Sequence, residues 1–436
     1  MRYFHSIDTD LVLRSSEIVG AIARKEVVRR YLQIFPVPPS LEQVVQALGS
    51  CSDSPKLRHW VAVSVSLLRA KLKVLDPEPR FVSHFYIDSL RPERISEIHA
   101  LRALEIVAAD HWGAGASFEW KDDSIQSTLR FNCWGVGTIV LQEPCLGMSV
   151  RVSGDELLIG LGGETARLAS ESNTLELSSG LRFERSLSVK TRAGPVVLPV
   201  DVAGLADSYH SNAPIVRSQE ANREWAGVLK DAIDLLYSNS ASMATECVRL
   251  SPAALALHCG GTAFGSSSPQ ELMGLVYLPG VTDVYDVAEC FLHESLHQKL
   301  YRVEEGASLF EGEAGDDEAY YSPWRSDARP LRMLMHGAYV FTGVSNFWKQ
   351  NYLESNDPDF RENAGFHCYY RAKQAQAAME IVSKYDHRTA MGQKVSQVIE
   401  AGIAEAITGL QPSAFAVGDA DSRLYSHRKA FARYRQ

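Results

Sequence analysis

The chain reads as an α+β protein: a helical, then β-rich, N-terminal half, followed by a half in which a short sheet meets a histidine-bearing helix. Three observations predict this. Apolar residues recur at three- and four-residue spacing between residues 11 and 109. Short strand-like segments separated by Gly, Ser and Asp turns fill residues 113 to 204. After residue 215 helical periodicity returns, centred on His293-Glu294-Ser295-Leu296-His297.

The elements follow in order. Leu11–Phe35, Leu41–Leu48, Leu57–Leu75 and Pro92–Ala109 have helical patterns, broken by stretches such as Pro36-Val37-Pro38-Pro39. Gly137–Leu141, Met148–Val152, Glu156–Gly160, Leu175–Leu177, Leu181–Phe183 and Val196–Val200 read as strands. Residues 215–250 read as helix, and Leu272–Gly280 as a strand closed by a Pro-Gly turn. Asp283 is placed as N-cap of the next helix, and a Gly- and acid-rich loop spans Glu304–Glu318. Helices over Pro330 to about Tyr352, Arg371–Lys384 and Met391–Ile407 close the pattern. The expected division is 1–112 helical, 113–210 β-rich, 211–410 catalytic and 411–436 a partly loose tail.

Composition narrows the classes. The 436 residues are 45% hydrophobic and 22% charged, ordinary for a soluble globular protein. A formal charge of −9 argues against nucleic acid and anionic membranes as partners. Met1–Arg30 lacks an apolar signal core, and no run is long enough to span a bilayer. Seven scattered cysteines, none in a C-x-x-C pair, fit reduced thiols, so the expected compartment is cytoplasmic. Cys290, three residues before His293, reads as a packed thiol.

His293 and His297 lie four apart, so on a helix both imidazoles share one face and supply half of a divalent-metal site. Glu294 is placed to serve as a base or to orient a ligand. Strand, turn and then histidine helix is the order found in zincin-type metalloenzymes, so the C-terminal half is expected to be zincin-like. A third donor must come from downstream. The acidic group Glu304, Glu305, Glu311, Glu313, Asp316, Asp317 and Glu318 is one source; His336 is another. Glu318 follows His297 at a spacing near that of glutamate-type zincins.

The block Ser322-Pro323-Trp324-Arg325-Ser326-Asp327-Ala328-Arg329-Pro330, then Met335-His336-Gly337-Ala338-Tyr339-Val340-Phe341, follows the histidine motif. Together these stretches, over about residues 225–350, resemble the HExxH-containing peptide-modification proteins of ribosomal natural-product (RiPP) clusters. That family is understood as 2-oxoglutarate-dependent peptide β-hydroxylases. The resemblance implies Fe(II) held by His293, His297 and His336, with Arg325 or Arg329 binding the far carboxylate of 2-oxoglutarate. It implies a precursor peptide as substrate, hydroxylated at a side-chain β-carbon. Glu294 would then orient a ligand or the peptide.

Two other readings stand beside it. In a zinc metallopeptidase, Zn²⁺ would be held by His293, His297 and Glu318 or His336, with Glu294 activating the bound water. In either enzyme the Leu275–Leu278 strand could take an extended peptide as a further strand. In a non-catalytic peptide-binding protein, the N-terminal half would carry the function. The sequence leaves the oligomeric state open.

Overall fold

The computed structural model describes most of residues 111–198 and 219–434, with short gaps in both stretches, and a few isolated positions before them. Apart from Val44, Leu104, Val107 and Ala108, which are helical, the four helices expected upstream of residue 110 lie outside the described residues, as does Glu313–Glu318 in the acidic loop.

The protein is a mixed α/β chain. The β-rich stretch builds β1 (Phe118–Gln126), β2 (Arg130–Cys133), β3 (Gly137–Leu141), β4 (Leu146–Ser153), β5 (Glu156–Leu161), β6 (Glu164–Ala169), β7 (Thr174–Leu177) and β8 (Leu181–Arg185). Five of these form an antiparallel sheet in the order β1-β4-β5-β6-β7, and β2-β3-β8 form a second. Alternation fixes the register: Met148, Val150 and Val152 of β4 turn inward, as do Leu157, Ile159 and Leu161 of β5.

The sheet that matters for the site draws on both sides of the expected boundary at 210. Hairpin β9 (Leu187–Thr191) and β10 (Gly194–Leu198) joins β11 (Ala253–Leu257) and β12 (Leu275–Pro279) in the order β12-β11-β10-β9. β10, β11 and β12 run parallel. Every residue of β11 is buried, and so is every residue of β12. A parallel strand covered on both faces needs such an unbroken apolar run. β12 stands at the end of the sheet.

Seven helices follow among the described residues: α1 (Gln219–Asn239), α2 (Ala241–Leu250), α3 (Val284–Gly306), α4 (Leu331–Glu354), α5 (Pro358–Val382), α6 (Ala390–Ile407) and α7 (Ala414–Tyr434). Asp283 caps α3 as expected, accepting from the backbone N–H groups of Tyr285 and Asp286. α3 runs through Glu304 and Glu305, which places both in a helix and not in the expected acidic loop. α4 is buried along most of its length and packs against α3, α5 and α6. Every residue from Leu334 to Trp348 is buried, which suits a central helix. A two-stranded ribbon, β13 (Ala319–Tyr320) with β14 (Arg329–Pro330), ties off the loop between α3 and α4.

Most of the described part of the tail is helix α7. The Ser413 hydroxyl caps α7 by accepting from the Ala416 N–H at 3.1 Å, and Ala416 and Ala420, one turn apart, are buried. Farther along, the His427 and Phe431 rings close on Tyr321.

Candidate metal and peptide site

The site forms where α3 meets α4. Residues 293, 297, 301 and 304 recur at four-, four- and three-residue steps, so His293, His297, Tyr301 and Glu304 make one stripe along α3. The His293 and His297 rings lie 5.0 Å apart, centroid to centroid. His336 arrives from the second turn of α4 and stacks on His297 at 5.8 Å and 18°. Tyr301 covers both, 6.0 Å from His297 and 5.1 Å from His336. The sequence-predicted trio is thus brought together. Among the described residues, no group of three or more His, Cys, Asp or Glu side chains is arranged so that it could hold a metal ion; His297 and His336 stack, while His293 meets His297 edge-on at 66°.

Burial depresses the pKa of His293, only partly offset by Glu294 and Glu289, and depresses that of His297 further, with His293 and His336 adding to the effect. Both are neutral at pH 7, the form that donates a lone pair to a metal. The Nδ1 atoms of His297 and His336 are buried and have no hydrogen-bond partner. Such atoms are rare in folded proteins and call for an explanation.

His336 is fully buried, and its Nε2 lies 2.9 Å from Glu304 Oε2. Arg332, one turn before His336 on α4, grips the same carboxylate through Nε at 2.7 Å and Nη2 at 2.6 Å. Burial alone would raise the Glu304 pKa, but the hydrogen bonds and charges of His336 and Arg332 overcome it and bring it down to about 2. An ionised carboxylate only accepts, so His336 Nε2 carries the proton that faces Glu304. Glu304 belongs to the acidic cluster weighed as a source of the third donor; here it touches His336.

Glu294 is 3% exposed, and each of its carboxylate oxygens is occupied. Ser266 Oγ donates to Oε1 at 2.6 Å and Ser268 Oγ donates to Oε2 at 2.5 Å. Between them, Ser267 pairs antiparallel with Tyr277 on the outer side of β12, through N–H···O bonds of 3.0 and 2.8 Å. The strand expected to offer a free edge therefore has that position taken by its own chain.

Arg325 and Arg329 both pair with Asp327, at 3.0 and 2.8 Å. Arg325 is more than half exposed, whereas Arg329 is less so and keeps a buried Nε without a partner. Trp324 lies 5.1 Å from Phe341, whose ring meets the edge of His293 at 5.2 Å. Gly337 is required there, since a Cβ at 337 would overlap the Trp324 ring. Glu318 lies outside the described residues. Cys290 is a buried thiol whose pKa burial pushes up, in line with a packing role.

Sequence reasoning did not single out Arg332, Ser266, Ser268 or the pair Glu289–Arg371. Arg371 Nη2 donates to Glu289 Oε1 at 2.8 Å, one turn before His293, and its guanidinium lies over Phe341 at 5.0 Å. The steps 297 to 304 and 332 to 336 carried a helical-face signal for Glu304 and Arg332. The serines, brought in by a loop, left no periodic trace.

No protein-family model matches the chain, and no curated protein matches it. No described helix is long and apolar enough to cross a membrane.

Proposed function

We propose that this chain is a peptide hydroxylase in which His293, His297 and His336 hold one Fe(II) and 2-oxoglutarate is the cosubstrate. The observation that carries the reading is the pair of buried, unpartnered Nδ1 atoms on His297 and His336 beside a neutral His293. Donor chemistry fits: a three-imidazole face suits a divalent first-row ion, and open positions opposite it suit small oxygen ligands. The three rings must rotate about their side-chain bonds to converge, an adjustment within the reach of histidine rotamers. Fe(II), when bound, would couple decarboxylation of 2-oxoglutarate and consumption of O₂ to insertion of one oxygen atom into a peptide C–H bond, leaving succinate and CO₂.

The protein's own residues do the rest. Glu304, fixed by Arg332, holds the His336 Nε2–H and presents Nδ1, as carboxylates commonly do for metal-bound histidines. Trp324 and Phe341 wall the His293 side with apolar surface. Arg329 is the better placed of the two arginines for the cosubstrate's far carboxylate, because part of its guanidinium is buried without a partner. Glu294 accepts from two hydroxyls, so it is poorly disposed to take a proton from water; this weighs against a peptidase. The order β12, Pro279-Gly280 turn, α3 supports a zincin-like half, working in the cytoplasm on a precursor peptide.

The test is anaerobic loading with Fe(II), then air and 2-oxoglutarate with the precursor peptide encoded beside the gene. The expected result is a mass gain of one oxygen atom on the intact peptide, with one succinate per oxygen. Cleaved peptide would instead establish the zinc-peptidase reading.

A further inference from the structure

We infer that residues 266–268 hold the place of the substrate: the β12 edge and Glu294 together recognise an extended peptide that pairs antiparallel with Tyr277 and carries hydrogen-bond-donating side chains on both sides of the paired residue. This rests on the reading of the chain as a peptide-acting enzyme and specifies how the peptide is recognised.

Three observations meet at one place. β12 ends its sheet, and Tyr277 exchanges both backbone hydrogen bonds with Ser267 in a single isolated antiparallel bridge. In an extended segment residues i and i+2 face the same way, so Ser266 and Ser268 project together, and both reach Glu294. Glu294 sits on α3 next to His293, so whatever fills this place lies beside the histidines.

The segment thus makes the contacts a bound strand would make: main-chain pairing for affinity and alternate side chains for specificity. A buried carboxylate demands donors, so an arriving peptide must replace the hydroxyls it displaces; serine, threonine, asparagine or glutamine at the two flanking positions would do so, and alanine would not. The tethered segment competes at the high effective concentration of an intramolecular ligand. Peptide binding therefore starts with its release.

The probe is a fluorescein-labelled synthetic peptide copying residues 262–271, with a second version carrying alanine at the positions of Ser266 and Ser268. Binding is read by anisotropy to the wild type, to Ser266→Ala/Ser268→Ala, to Ser267→Pro, which lacks the N–H given to Tyr277, and to Ser266→Thr/Ser268→Thr, which keeps both hydroxyls. The alanine double variant and Ser267→Pro should bind the serine peptide about tenfold more tightly than the wild type does. The threonine variant should resemble the wild type, and the alanine peptide should bind at least about tenfold more weakly than the serine peptide. Equal affinity for the two peptides, or no tightening in folded variants with unchanged circular dichroism, would overturn the inference. Metal titration of the same variants separates the two levels. If the wild type and the alanine variant bind one Fe(II) that His297→Ala loses while the peptide results fail, this inference falls and the metal reading stands.

Discussion

Replacing Glu304 probes the link between the α3–α4 contact and metal binding. The carboxylate takes two bonds from Arg332 and one from His336, at 2.6 to 2.9 Å. Glu304→Gln keeps one acceptor oxygen and removes the charge, so at least one Arg332 bond is lost. A hydrogen bond to a charged group contributes roughly 1.5–3 kcal/mol, so the metal-free protein should lose about 2 kcal/mol in urea denaturation. The metal effect is separate. With His336 no longer fixed by an ionised carboxylate, affinity should fall about 10–100-fold, equivalent to about 1.4–2.8 kcal/mol. Glu304→Ala should be worse on both counts. The assay is competitive titration of Zn(II) or anaerobic Fe(II) against a chromophoric chelator, with Arg332→Ala as a parallel variant. A Glu304→Gln protein that loses stability but binds metal as the wild type does would refute the orienting role. It would leave Glu304 as an interhelical tie alone.

Three further predictions follow from neighbouring geometry. Gly337→Ala should displace the Trp324 ring, cost about 1–3 kcal/mol and shift tryptophan emission; wild-type stability and emission would contradict the packing described. Glu246 and the fully buried Lys299 form an ion pair between α2 and α3, so Glu246→Ala should destabilise by about 3–5 kcal/mol in urea, whereas Glu246→Leu/Lys299→Met should recover most of it. Burial raises the Glu289 pKa, but Arg371 and the Trp348 N–H outweigh it, and the net shift is downward. A depressed carboxylate stabilises above its unfolded pKa of about 4.3 and loses that contribution as pH falls through the folded value. The stability gap between wild type and Glu289→Gln should therefore be full at pH 7 and shrink below about pH 4; a gap independent of pH would contradict the pairing with Arg371.

The sequence disclosed the fold best where periodicity was clean. Gly137–Leu141 was read with the bounds that β3 has, because its apolar run lies between turn residues. Asp283 was legible as an N-cap because an acceptor side chain stands just before an apolar helical stripe. β1 was not: FEWKDDSIQ is crowded with charge, and it is a strand by virtue of its antiparallel pairing with β4. β9 was hidden likewise, since Leu187–Thr191 acquires its meaning only by pairing with β10 and joining the distant β11 and β12. The α7 helix was masked by a polar tail whose small buried face, Ala416 and Ala420, is inconspicuous. At the site, His293 and His297 were legible from a four-residue step, and His336 from its surrounding block. That Glu304 serves His336 depends on how α3 crosses α4, and that Ser266 and Ser268 bind Glu294 depends on a loop returning to the β12 edge. Neither can be read from local spacing.

The claim on which the rest depends is that three imidazoles share one ion, and metal content addresses it most directly. Wild-type protein, His293→Ala, His297→Ala and His336→Ala should be loaded anaerobically with Fe(II), passed over a desalting column and assayed for iron per chain. The account predicts one equivalent in the wild type and little or none in each folded variant. Stoichiometric iron in any of the three, or none in the wild type, would contradict it.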